Sequence, residues 1–173
     1  MKALLLVDFE KEWINPDSEY YVEDISEEIE KVNRLIDFCR EQGYKIIFTT
    51  HVEEDSEGAF IEGTENVEII SELHKEDSDV LITKNKISPF YETDLDDELE
   101  DIEEIVIAGI LTNLCVRSAI HDAYDRDFDI TVIKDCCVSF DETTQEFTFD
   151  DLASTREEIE FLDLDEFDEG EEE

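Results

Sequence analysis

The chain has 173 residues, of which 53 are Asp or Glu and 13 are Lys or Arg, so its formal net charge at pH 7 is -40. Nucleic acid and anionic membrane surfaces would repel such a polyanion, so neither is an expected partner. The length suits one domain, and a hydrophobic content of 40% can supply its core, so the acidity does not imply disorder.

The excess of acid predicts a salt-rich cytoplasm as the working environment. A folded surface with this charge repels itself in dilute buffer, whereas at about 1 M salt the Debye length falls to roughly 3 Å and screens the repulsion. An acidic protein that holds a basic partner is the alternative explanation. The four cysteines have no framework spacing, which fits a reducing compartment. The apolar run at residues 3–7 is too short for a signal peptide or a membrane span.

Strand and helix signals alternate along the chain. Apolar runs predict strands at residues 3–7, 45–50, 79–83, 105–110, 130–134 and 160–164. Helical spacing predicts helices at residues 25–41, 94–100, 118–126 and 147–153. The alternation predicts one α/β domain of residues 1–166, with three α/β/α layers and a mostly parallel sheet of five to six strands. Residues 167–173 are expected to form a fraying acidic tail.

Cys115 stands where the strand at residues 105–110 turns into a helix. The positive end of that helix is expected to stabilise a thiolate and to lower the cysteine pKa from its free value of about 8.5. A buried cysteine that only packs as a small hydrophobe is the alternative.

Asp8 and Lys84 follow two other predicted strands. The carboxyl ends of parallel strands meet at one edge of a sheet, so these side chains should approach Cys115. A base and a cation beside a thiol are what nucleophilic catalysis needs. Taken singly, Asp8 and Lys84 could also be an ordinary ion pair or solvated loop charges.

Three motifs carry a resemblance to a known family. They are LLVD at residues 5–8 followed by Trp13, KNKISPF at residues 84–90 followed by TDL at residues 93–95, and GILTNLCV at residues 109–116. With these motifs in this order, the chain resembles the isochorismatase-like cysteine hydrolases from about residue 3 to residue 139. That superfamily includes nicotinamidases and N-carbamoylsarcosine amidase.

The resemblance implies a catalytic triad of Asp8, Lys84 and Cys115. In the family's proposed mechanism the Asp accepts the thiol proton, the Lys stabilises the thiolate, and the Cys attacks an amide carbonyl to form a thioester. The resemblance also implies a cis peptide bond between Ile110 and Leu111. The backbone N–H groups of Leu111 and Cys115 would then form the oxyanion hole.

Two departures from the family pattern concern the substrate. Glu10 stands where many relatives have Gln, which leaves its pocket contacts open. Metal-dependent relatives carry Asp-x-His after the second strand, whereas this chain has THVE at residues 50–53. Because one His with scattered acids is a weak ligand set, neither a metal nor another cofactor is predicted. Nicotinamide is therefore only the second choice of substrate.

The predicted function is hydrolysis of a small amide or related C–N bond by a cysteine enzyme on a Rossmann-like sheet. The alternative is an acidic binding scaffold without turnover. Specificity should reside in the loops at residues 9–22 and 51–67. A homo-oligomer, dimer or tetramer, is implied by the resemblance alone. The substrate is expected to be a small molecule, in a pocket lined by Phe9, Trp13, His51 and Phe90, although such aromatics could equally be core.

Overall fold

A parallel sheet forms the centre of the molecule, which is described here from a computed structural model covering residues 1–55 and 57–171. Within those residues the strands are β1 (Lys2–Val7), β2 (Lys45–His51), β3 (Val80–Lys84), β4 (Glu104–Ile110), β5 (Asp129–Val138) and β6 (Glu160–Leu162). Their order across the sheet is β3-β2-β1-β4-β5-β6, and neighbouring strands run parallel. The order reverses between β1 and β4, and ligands of such sheets bind at this kind of switch point.

Helices cover both faces of the sheet and confirm the predicted three-layer fold. They are α1 (Ser26–Glu41), α2 (Leu95–Glu98), α3 (Arg117–Tyr124), α4 (Glu142–Thr155) and α5 (Leu164–Glu171). The strand β1 lies in the middle, and its residues 3–7 are wholly buried because their apolar side chains face helices on both sides. Across the described residues, no helix combines the length and apolar character needed to span a bilayer.

The C-terminal segment differs from its prediction. Residues 167–171 belong to α5 instead of a fraying tail, because Phe167 is buried and its ring packs 5.6 Å from that of Phe38 on α1. Residues 172 and 173 lie outside the described part of the chain. The acids of the first turn, Asp165 and Glu166, also suit the positive end of the helix.

Two elements near the site extend beyond their predicted bounds. β5 runs on to Val138, and α4 begins five residues earlier than predicted, at Glu142. Asp141 caps α4 by accepting a hydrogen bond from the backbone N–H of Thr144 at 2.8 Å. The sequence pattern missed this start because polar residues fill the first turn of α4.

Candidate active site

Asp8, Lys84 and Cys115 meet at the carboxyl edge of the sheet. Asp8 directly follows β1, Lys84 ends β3, and Cys115 follows β4. The Lys84 Nζ lies 2.8 Å from the Asp8 Oδ2 and donates to the Cys115 Sγ at 3.5 Å. All three residues are buried, at 0%, 1% and 6% exposed respectively. The ammonium group of Lys84 therefore bridges a carboxylate and a thiol away from bulk water.

Asp8 is held by β2, which lies between β1 and β3. The hydroxyl of Thr49 donates to the Asp8 Oδ1 at 2.6 Å and accepts from the Asp8 N–H at 3.1 Å. The indole N–H of Trp13 donates to the Asp8 carbonyl at 2.8 Å. These contacts direct the second carboxylate oxygen towards Lys84. The sequence offered one signal for Thr49, a polar residue that directly follows the apolar run at residues 46–48 of β2.

Cys115 lies in a π-helical turn, Thr112–Val116, that joins β4 to α3. The peptide bond between Ile110 and Leu111 is cis. The carbonyl of Leu111 accepts hydrogen bonds from the backbone N–H groups of Leu114 and Val116, at 3.1 Å and 3.2 Å. Leu111 and Cys115, the predicted oxyanion donors, both line the neighbouring cavity.

The electrostatics of the thiol correct the sequence-based expectation. Burial, together with the charge of Asp8, raises the pKa of Cys115 to about 12, because the charge of Lys84 opposes them only in part. The predicted lowering of this pKa is therefore wrong for the unliganded protein. Burial alone would lower the pKa of Lys84, but Asp8 and Cys115 outweigh it, so the Lys84 pKa is raised. The resting site thus holds a thiol, an ammonium group and a carboxylate that faces both.

A cavity of about 550 Å³ opens onto Asp8 and Cys115. This volume suits a small molecule. Three aromatic side chains form one wall, where the ring of Phe60 lies 4.9 Å from that of Trp13 and 5.3 Å from that of Tyr20. Asp8, Leu111, Leu114 and Cys115 border the cavity at the sheet. A small molecule bound here would lie between the Cys115 thiol and the aromatic wall.

The structure brings two of the four predicted pocket residues to this cavity, Trp13 and His51. Phe9 is fully buried in the core, and Phe90 lies beneath the guanidinium of Arg126, 4.2 Å from its ring centroid. Neither Phe9 nor Phe90 borders the cavity. Sequence reasoning did not single out Tyr20 and Phe60, although both lie in the loops expected to carry specificity.

His51 contacts Lys84 on one side of its ring and the cavity-lining residue Glu53 on the other. Its Nδ1 lies 3.3 Å from the Lys84 Nζ, and its Nε2 lies 2.7 Å from a carboxylate oxygen of Glu53. Because an ammonium group can only donate, Nδ1 accepts, and Nε2 carries the hydrogen that is donated to Glu53. No cluster of three or more His, Cys, Asp or Glu placed to hold a metal ion occurs in residues 1–55 and 57–171.

Comparisons with known proteins identify the relatives of the chain. The family model described as Isochorismatase domain matches residues 2–160. An uncharacterized isochorismatase family protein, YrdC of Bacillus subtilis, is 28% identical over 155 residues, which are 88% of this chain and 82% of that protein. Nicotinamidase 3 of Arabidopsis thaliana is 28% identical over 140 residues, 72% of this chain and 71% of the relative.

The solved structures show the same fold. An isochorismatase-like hydrolase from Alkaliphilus metalliredigens superposes with a TM-score of 0.87 at 22% identity, covering 98% of each chain. At this identity the likeness concerns the fold, and the site must be argued from its own residues.

Proposed function

The chain belongs to the isochorismatase family, and from that premise we propose that it hydrolyses a small amide or related C–N bond through a thioester on Cys115. The observation that carries the proposal is the position of the Lys84 Nζ, 2.8 Å from Asp8 and 3.5 Å from the Cys115 Sγ, beside an open cavity. A base, a cation and a nucleophile in contact are the requirements for covalent catalysis.

The resting protonation states suggest how the reaction proceeds. Because the pKa of Cys115 is raised to about 12, the thiol loses its proton to Asp8 as the sulfur attacks the carbonyl carbon. Lys84 stabilises the negative charge that forms on sulfur. Asp8 then protonates the leaving amine, the C–N bond breaks, and an acyl thioester remains. Water, deprotonated by Asp8, hydrolyses the thioester and restores the thiol.

The aromatic wall favours a planar acyl group, which makes a nicotinamide-type substrate the second candidate. Trp13, Tyr20 and Phe60 present apolar surface beside the reacting groups, and rings of this kind bind flat heteroaromatic molecules. The family contains a plant relative named nicotinamidase 3. This second candidate predicts that a pyridine carboxamide is hydrolysed faster than an aliphatic amide of similar size.

We propose further that the enzyme works at high salt. The net charge of -40 on 173 residues supports this, because molar salt screens the repulsion between surface carboxylates. Assembly into a homo-oligomer stays a prediction from the family resemblance.

Ammonia release from a panel of small amides in molar KCl tests the proposal. Wild-type protein should release ammonia from at least one amide, and Cys115→Ala should not. Cys136→Ala is the matched control, since Cys136 is also buried but lies on β5 and does not border the cavity. Equal rates for wild type and Cys115→Ala would overturn the proposal. Binding of the amides without turnover by either protein would support the acidic scaffold instead.

A further inference from the structure

Glu10 is a buried carboxyl group that the reaction described above does not use. It lies two residues after Asp8 and is 0% exposed. Its Oε1 accepts a hydrogen bond from the backbone N–H of His51 at 2.7 Å. Its Oε2 is buried and has no hydrogen-bond partner within the described residues. An ionised carboxylate in such a place would lack the donors that a buried charge requires.

The groups around Glu10 add negative charge. Asp8 and Glu12 flank it on its own segment, and the positive charge of Lys84, at the end of β3, acts against them. Lys84 is already paired with the Asp8 carboxylate. The segment bridged to Glu10 carries Glu68, whose carboxylate binds Lys11 at the surface. One shared ammonium group cannot neutralise both Asp8 and an ionised Glu10.

The titration of Glu10 agrees with this geometry. The pKa of Glu10 is raised to about 10, because burial and the charge of Asp8 outweigh the backbone hydrogen bond from His51 and the charge of Lys84. At neutral pH Glu10 therefore adds no charge beside the buried pair of Asp8 and Lys84.

We propose that Glu10 is a positioning residue that works as a neutral carboxylic acid. Its carbonyl oxygen accepts the backbone N–H of His51 and so holds the end of β2. His51 is paired in register with Lys84, and its ring accepts a hydrogen bond from the Lys84 ammonium group. Because Glu10 is uncharged, the ammonium group stays directed at Asp8 and Cys115. Ionising Glu10 would place a second negative charge beside Lys84 and hold the proton on the Cys115 thiol.

Infrared spectroscopy tests the charge of Glu10 without a substrate. At about pH 8 ordinary carboxyl groups, with pKa values near 4, are ionised. The stretching band of a protonated carboxyl should therefore be present in the wild type and in Cys115→Ala, and absent from Glu10→Gln. In the unmodified protein the band should disappear as the pH passes about 10. Absence of the band from wild type, or its persistence in Glu10→Gln, would overturn the proposal.

Glu12→Gln is the matched control, because Glu12 is the neighbouring buried acid, 3% exposed. This variant should keep the band. If the band were lost in Glu12→Gln and kept in Glu10→Gln, the protonated carboxyl group would be that of Glu12, and the proposal would be refuted. The inference concerns the same site as the proposed function, but these spectra need no turnover, so either can fail alone.

Alkylation of Cys115 by iodoacetamide tests the positioning role. Wild type and Glu10→Gln should react at equal rates near neutral pH, because the side chain at position 10 is then uncharged in both proteins. Above about pH 10 Glu10→Gln should react faster, because wild type gains a charge that opposes thiolate formation. A merely structural role would change the rate at every pH. A faster reaction of Glu10→Gln already at neutral pH would show that Glu10 is ionised there and contradict the proposal.

Discussion

The Lys84 Nζ lies 2.8 Å from the Asp8 Oδ2, and both side chains are fully buried. The same nitrogen also contacts the Cys115 Sγ, the His51 Nδ1 and the Lys86 carbonyl, at 3.5 Å, 3.3 Å and 3.0 Å. An ammonium group has three hydrogens, so four acceptors share them. In the proposed mechanism, Lys84 can therefore shift its hydrogen bonds from Asp8 to the sulfur as the proton moves from Cys115 to Asp8.

Replacing Lys84 by Met should destabilise the protein by about 3–5 kcal/mol, because the buried carboxylate of Asp8 loses its counter-ion. The measurement is denaturant unfolding in molar KCl, with amide hydrolysis lost in parallel.

The double variant Asp8→Asn with Lys84→Met provides the control. It removes both charges together and should lose less stability than the sum of the two single variants. Additive losses would show that the two side chains do not interact as the 2.8 Å contact requires.

Asp8→Asn should affect alkylation and hydrolysis in opposite directions. Removing the negative charge of Asp8 lowers the pKa of Cys115, since that charge helps to raise it. The thiolate fraction then grows by about tenfold for each pKa unit, so iodoacetamide should modify Cys115 faster at neutral pH. Amide hydrolysis should fall, because no proton acceptor remains. Mass spectrometry locates the modified cysteine, and slower alkylation of Asp8→Asn than of wild type would contradict the assignment.

Raising the KCl concentration from about 0.1 M to about 1 M should raise the unfolding temperature, because the Debye length falls from about 10 Å to about 3 Å. Each kcal/mol of relieved repulsion corresponds to about 2–4 °C in a domain of this size. Calorimetry with sucrose as a non-ionic control separates screening from solute exclusion. An unfolding temperature that is independent of KCl would remove the support for salt adaptation.

The sequence was sufficient to predict the sheet and the meeting of Asp8, Lys84 and Cys115. Apolar runs mark buried strands, and parallel strands bring their carboxyl ends to one edge. The pKa of Cys115 could not be predicted in the same way, because it depends on burial and on the distances to two charges. The positions of Tyr20 and Phe60 in the cavity could not be predicted either, because loops place them there and loop residues follow no periodic pattern.

Gly109 lies so close to β1 that even a methyl side chain should destabilise the protein. A Cβ at this position of β4 would lie 2.3 Å from the Val7 carbonyl oxygen and 2.6 Å from the Val7 Cβ. Gly109→Ala must therefore push β4 away from β1 next to Asp8, at a cost of about 3 kcal/mol or more in the free energy of unfolding. Gly170→Ala is the control, because in the described part of the chain a Cβ at this exposed position of α5 would meet no atom within 4 Å outside its sequence neighbours and the backbone of its own helix, and its stability should be unchanged or higher by up to about 1 kcal/mol. The measurement is the midpoint of denaturant unfolding for the two variants and the wild type. Equal midpoints for Gly109→Ala and wild type would mean that β1 and β4 are not packed as closely beside Asp8 as the structure shows.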